Sequence, residues 1–201
     1  MSIKPIETIY NGYRFRSRLE ARWAVFFDAA GIKYQYEQEG FCVSDFDSQS
    51  LYYLPDFYFP DQGIYGEVKG RLFTEQEKEK MAWCIDYCGP LKDGLVLFGN
   101  IPSKLELDDM PDFNIPFVYW DKGIVKSFAC FALNGPRKLR FFLSDFQEFI
   151  TSAPDFPYDA AEPFFFFPYG DDADEWLPHK ALVDSYINKA RQARFEHGEC
   201  V

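Results

Sequence analysis

Histidine is nearly absent, with two in 201 residues, and neither stands near a recognisable nucleophile motif. Serine or cysteine hydrolase chemistry, which leans on an imidazole base, therefore finds little support. Long apolar runs are missing too. No stretch approaches the roughly 18 residues that cross a bilayer, so no membrane association is expected. The five cysteines are an odd count, and the opening Met1-Ser2-Ile3-Lys4-Pro5 carries no apolar signal segment. The expectation is a reducing cytoplasm rather than a secreted disulfide framework. Cys84 and Cys88 suggest zinc at first sight, but Met81, Cys84, Ile85 and Cys88 form one helical stripe, which favours thiols buried on a core face.

Positive charge is also short. Lys and Arg number 21 against 32 Asp and Glu, a net charge of −11, which argues against a general nucleic-acid binder with an evenly basic surface. The distribution is uneven, however. Arg14, Arg16, Arg18 and Arg22 cluster early, and Lys189, Arg191 and Arg194 late, while acid gathers at Glu106 to Asp112 and Asp171 to Glu175. Screening over about 8 Å at physiological salt lets a basic strip act beside a distant acidic lobe.

What is plentiful is aromatic residue, 20% of the chain, within a hydrophobic content of 47%. That composition belongs to a globular protein with a sizeable core, and the length suits a single domain over 1–201. The organising stretch is Leu51 to Arg71. An aromatic run ends in Pro55-Asp56, a turn follows at Pro60 to Gly63, and a short run closes on Glu67-Val68-Lys69. Period-two alternation puts Glu67 and Lys69 on one side of a strand and Val68 on the other. If the two runs pair as a hairpin, Asp56 comes near Glu67. Two converging carboxylates repel unless a cation lies between them, and hard oxygen ligands with open water positions suit Mg²⁺. The lysine adds a mobile positive charge able to hold or activate a water, or to steady a phosphoryl oxygen.

Upstream, Thr8–Tyr10 and Tyr13–Phe15 flank Asn11-Gly12, a hairpin signal that puts Arg14 and Arg16 on one face of a small ribbon. They are either phosphate contacts or a solvated edge. A helix is expected from Ser17 to about Ala30, stopped by Gly31, with Leu19, Trp23, Phe26, Phe27 and Ala30 as its apolar stripe. Glu20 leans toward the covered side, an odd place for a lone charge, yet Ser17-x-x-Glu20 is also a capping box that would return Glu20 to the Ser17 amide.

Pro55-Asp56, ten residues, then Glu67-x-Lys69, resembles the PD-(D/E)xK nuclease superfamily of restriction-endonuclease-like phosphodiesterases. Phe15 to Trp23 resembles the first helix of its small phage and bacterial members, in which a glutamate is a further metal ligand. The resemblance covers Tyr10 to Gly99, and its specificity lies in the order of parts more than in the acidic motif alone. It implies an α/β fold: a restriction-endonuclease-like α/β/α core over 10–99, with a central mixed sheet flanked by helices, and a C-terminal β/α extension over 100–201. It implies a Mg²⁺-dependent deoxyribonuclease, Mn²⁺ substituting, that leaves 5′-phosphate and 3′-hydroxyl ends in a bacterial or phage-infected cell. Glu20, Asp56, Glu67 and the Val68 carbonyl would hold metal, with Lys69 positioning or deprotonating water. Arg14, Arg16, Arg18 and Arg22 would grip the DNA backbone. A homodimer is left open. The competing reading is a non-catalytic acidic protein on the same scaffold, a DNA mimic or a recruitment factor, supported by the net charge and by the run Asp171 to Glu175.

The remaining elements are expected as strands over Ile32–Glu37, Leu51–Tyr58, Ile64–Lys69 and Gly94–Phe98, with a polar loop over Ser44–Ser50. A helix capped by Thr74 should run through Cys88, and the strand that returns after it suits a parallel crossover. A hairpin is expected over Phe117–Trp120 and Ile124–Leu133, a strand over Leu139–Leu143, a short helix from Ser144 to Ile150, and a last helix from Pro178 or His179 to Phe195. Pro154 to Pro168, with Phe164 to Phe167, reads as packed irregular chain or as a patch for a protein partner.

Overall fold

The computed structural model describes residues 5–44, 50–61, 63–71, 74–91, 95–101, 117–121, 124–133, 139–145 and 184–195, with backbone alone over 117–145. The early hairpin forms as expected. β1 (Thr8–Tyr10) pairs antiparallel with β2 (Tyr13–Phe15), and the turn between them sits at Asn11 and Gly12 with φ of 46° and 81°. Helix α1 (Arg18–Ala30) follows. Ser17 caps it by accepting from the Glu20 amide, and Gly31 ends it in the left-handed region at φ 73°.

Two expected strands are shorter than their apolar runs. Of Ile32–Glu37 only β3 (Gln35–Tyr36) pairs, against Tyr58 and Phe57, because Glu37 turns to φ 45° and leaves the extended region. Leu51–Tyr58 divides. Its first part, β5 (Ser50–Tyr53), pairs with β4 (Phe41–Ser44) in a separate hairpin, and its end becomes β6 (Phe57–Phe59) in the main sheet. The break falls at Leu54-Pro55-Asp56, where proline has no N–H to give a ladder. Ser44 and Ser50, expected in a polar loop, are instead the last pair of the β4–β5 hairpin, and 45–49 lie outside the described residues.

β6 pairs antiparallel with β7 (Ile64–Val68), and β7 pairs parallel with β8 (Leu95–Phe98). The crossover between these two is α2 (Glu75–Tyr87), opened by a capping box of Thr74 and Glu77. Beyond β8 the sheet continues antiparallel through β9 (Phe117–Asp121), β10 (Ile124–Leu133) and β11 (Leu139–Asp145). The result is a seven-stranded mixed sheet in the order β11-β10-β9-β8-β7-β6-β3. Ser144, expected to cap a helix, lies within β11 opposite Phe128; residues 146–150 are outside the described set. Residues 184–192 are helical and are called α3; the expected start of that helix and the stretch Pro154–Pro168 are likewise outside.

Alternation along the central strands sorts the core into two layers. Val68, Val96 and Phe98 join α1, Phe57, Phe59 and the α3 residues Tyr186, Ile187 and Ala190 on one face. Tyr65, Leu95 and Leu97 join Met81, Cys84 and Ile85 of α2 on the other. Helices thus flank both faces of a mixed sheet. Burial raises the Cys84 thiol to about 11, which suits a packed core thiol rather than a ligand. Gly66 is the close approach in the sheet: a Cβ there would meet the Phe98 ring at 2.7 Å and the Phe59 ring at 3.0 Å. No helix among the described residues is long and apolar enough to cross a membrane.

Candidate metal centre

Three acidic side chains meet where β6 begins and β7 ends. Phe57 lies opposite Gly66, so Asp56, one residue earlier, faces the end of β7, and its Oδ2 accepts from the Val68 amide at 2.7 Å. In an extended strand the N–H and C=O of one residue leave the same edge, so the Val68 carbonyl faces Asp56 as well. Glu67 arrives on β7, and Glu20 comes from the first turn of α1. All three are buried, with exposures of 7% for Glu20, 3% for Asp56 and 6% for Glu67.

The electrostatics show that these carboxylates share one field. Asp56 is pushed well above the usual carboxylate range, first by burial and then by the charges of Glu67 and Glu20; the Val68 amide and Arg16 oppose this without overcoming it. Lys69 reaches Glu67 Oε1 at 2.8 Å. Burial disfavours its ammonium, but Glu67, Asp56 and Glu77 outweigh that and raise it above the ordinary lysine value. It is held as a cation, which makes it a positioning charge rather than a proton acceptor.

Arg16 is found in a different place from the one its strand pattern suggested. Instead of the ribbon's solvated face, its guanidinium enters the site, with Nη2 at 2.7 Å from Asp56 Oδ1 and Nε at 2.5 Å from Glu37 Oε1. Burial works against the guanidinium charge, but Asp56, Tyr36 and Glu37 hold it firmly. Arg14 stays on the ribbon surface, paired with Glu7. Arg18 and Arg22 lie away from the carboxylates: each is two helical positions from Glu20, which puts both on the opposite flank of α1.

Glu20 is neither a plain cap nor an unpartnered ligand. Its carboxylate does not return to the Ser17 amide. Oε2 accepts from the Arg16 amide at 3.0 Å and from the Tyr36 hydroxyl at 2.5 Å, and Oε1 from the Ser17 hydroxyl at 2.6 Å. Tyr36, Glu37 and Tyr53 escaped the sequence reading. The Tyr53 hydroxyl donates to Glu67 Oε2 at 2.9 Å, and burial, then Glu67, lift it well above a tyrosine's usual range. Tyr52 and Tyr53 look alike in sequence; only the register that pairs Phe41 with Tyr53 decides which one turns inward. Glu37 carried one signal, an acidic residue closing an apolar run.

Among the described residues no three His, Cys, Asp or Glu side chains form a ready-made metal cage. Arg16, Lys69, Tyr36, Tyr53 and the Val68 amide already point at the carboxylate oxygens. The donor set of carboxylate oxygens still fits a hard divalent cation, provided that Arg16, a half-exposed side chain, swings off Asp56. The excess of negative charge felt at Asp56 favours that exchange. In comparisons with protein-family models, with curated proteins and with solved structures, the chain matches none, so the site is read from its own residues.

Proposed function

We propose that the chain is a Mg²⁺-dependent nuclease that hydrolyses phosphodiester bonds in DNA, leaving 5′-phosphate and 3′-hydroxyl ends, on a restriction-endonuclease-like core. The observation that carries it is the convergence of Glu20, Asp56 and Glu67 from three separate elements, with Lys69 on Glu67. Like charges brought together in a buried place cost stability, so a purely structural role explains them poorly. The sequence resemblance to PD-(D/E)xK enzymes supports the same reading.

Bound metal would supply Lewis-acid stabilisation of phosphoryl oxygens and lower the pKa of a coordinated water. Asp56 and Glu67, with the Val68 carbonyl beside them, would hold it, and Glu20 would complete the set from α1. Lys69, kept cationic, orients the attacking water and offsets charge on the phosphoryl group. Tyr53 and Tyr36 fix the rotamers of Glu67 and Glu20. Arg16, once it leaves Asp56, stands at the entrance with a two-pronged donor for phosphate.

The competing reading, a binding protein on this scaffold that cuts nothing, draws on the net charge of −11 and on protein donors that already satisfy the carboxylates. One experiment separates them. Purified protein with Mg²⁺ or Mn²⁺ is incubated with supercoiled, linear, single-stranded and branched DNA, with RNA in parallel and Glu67→Ala as control. Metal-dependent cutting of DNA lost in the variant is the expected result. Equal cutting by the variant, or none by wild type, removes the proposal.

A further inference from the structure

The flank of α1 turned away from Glu20 carries a second concentration of charge. Arg18 and Arg22 stand one helical turn apart on it. α3 lies alongside, fixed there by Tyr186, Ile187 and Ala190, which pack into the same core as Phe26. Arg191, in its last turn, and Arg194, just beyond its end, join the first pair. The four arginines line one pocket of about 720 Å³, together with Gln192 and Phe195. Phe195 is buried and meets Tyr10 edge to face with ring centroids 6.1 Å apart, so one wall is rigid and aromatic.

The pocket is unbalanced. Among the described residues no carboxylate lies within ion-pair distance of any of these four guanidiniums, whereas Arg14, Arg16 and Arg71 all have one. The Nε atoms of Arg18 and Arg22 are buried without a hydrogen-bond partner. Buried donors left unpaired cost stability, the more so when charged, and four like charges around one cavity repel. Such an arrangement is stable in use when a polyanion fills it, and the planar fork of arginine fits phosphate oxygens two at a time.

We infer that this pocket is a phosphate-binding site separate from the metal centre, which holds adjacent backbone phosphates of a nucleic-acid strand. Its volume and its four cations exceed what one phosphate needs. The choice of a strand over a free phosphate compound rests on the proposed nuclease function. α1, about 10 Å across, carries Arg18 and Arg22 on one flank and Glu20 on the other, which sets pocket and centre a few nucleotides apart. One strand therefore reaches both. The pocket would then fix which bond is presented to Glu67 and Lys69, acting as a register stop rather than as chemistry.

The test is binding without metal. Fluorescence polarisation of labelled single-stranded and duplex 20-mers is followed in EDTA over a salt series, with wild type, Arg22→Gln/Arg191→Gln, Arg194→Gln alone, and Lys33→Gln as a control outside the pocket. Thermal melts check that each variant is folded. The double variant should bind at least about tenfold more weakly, and its log affinity against log salt should flatten by up to roughly 1.4 for single strands or 1.8 for duplex. Arg194→Gln, outside the helix, should flatten it by about half as much, and Lys33→Gln should not change it. Unchanged affinity and slope in folded Arg194→Gln and double variants would overturn the site. So would displacement of the oligonucleotide by pyrophosphate at equal phosphate concentration, which would mark a small-anion pocket, or by polyglutamate, which would mark an acidic-protein site. Since no metal is present, pocket-dependent binding by a wild-type protein that never cuts would sink the nuclease reading and leave this site standing.

Discussion

Asp56 holds an unfavourable place for a charge, buried and facing Glu67 and Glu20. Its folded-state pKa is raised above 3.8 by burial, Glu67 and Glu20, so the folded protein holds that proton more tightly than the unfolded chain does. The stability it lends is therefore fully present below about pH 3.8 and is lost as pH rises through the folded value. In metal-free protein Asp56→Asn should be the more stable form at neutral pH, with the higher Tm, and the gap should close toward pH 4. Melts in EDTA from pH 4 to 8 decide it; a gap that widens toward acid contradicts the assignment. Lys69 calls for a different measurement. As a held cation it should act on the transition state, so Lys69→Met should lower kcat about 10²–10³-fold with little change in Mg²⁺ affinity by calorimetry. A collapse of metal affinity instead would make it structural. At this scale Asp56, Glu67 and Lys69 were legible because a short motif spaces them. Arg16 was not, since a guanidinium on a stem with four rotatable bonds can leave the face its Cβ dictates, and it went where Asp56 and Glu37 drew it.

Helices and hairpins with local chemistry were read well. Ser17 and Gly31 bracket α1, Thr74 opens α2, and Asn11-Gly12 turns β1 into β2, each through contacts a few residues long. Strand limits failed where long-range pairing rules, as at Glu37 and Leu54 to Asp56, because an apolar run shows that residues are covered without showing by which neighbour. α1 allows its two duties to be separated. In Glu20→Gln the amide oxygen can accept from the Arg16 amide and Tyr36, while the NH₂ turns to the Ser17 oxygen, so helix stability should barely change and metal affinity should fall. Ser17→Ala should do the reverse, costing about 1 kcal/mol in a urea melt and leaving turnover largely intact. Parallel loss of both properties in both variants would tie cap and ligand into one function. Gly66→Ala reports on the sheet: the added methyl meets two buried phenylalanine rings, so a loss of about 1–3 kcal/mol is expected, read as a lower urea midpoint at constant m-value. A neutral outcome would mean that the rings yield.

For the molecule as a whole, the carboxylate excess at one end of the sheet should make stability depend on divalent ions. Mg²⁺ or Mn²⁺ at a hundredfold excess over Kd should add about 2.7 kcal/mol, and Glu67→Gln should abolish most of the resulting rise in Tm. A wild-type melt indifferent to both ions favours the non-catalytic binding reading. The first half of the chain disclosed its plan because the motif, the caps and the crossover all lie within Tyr10 to Gly99; the later strands were legible as a hairpin and a further strand extending the sheet, but nothing in their sequence revealed that β9 pairs with β8. The packing of α3 against α1 has a further bearing, on the order of events during synthesis. Tyr186, Ile187, Ala190 and Phe195 join Phe26 in the layer that covers α1, although the residues of the candidate metal centre leave the ribosome more than a hundred positions earlier. Until that segment emerges the nascent chain lacks part of the layer that covers α1, and the pocket lacks Arg191 and Arg194 altogether. On the proposed function, translation itself would then act as a timer: a stalled or truncated product would carry the whole acidic and lysine motif, yet neither the completed layer over α1 nor the full arginine pocket.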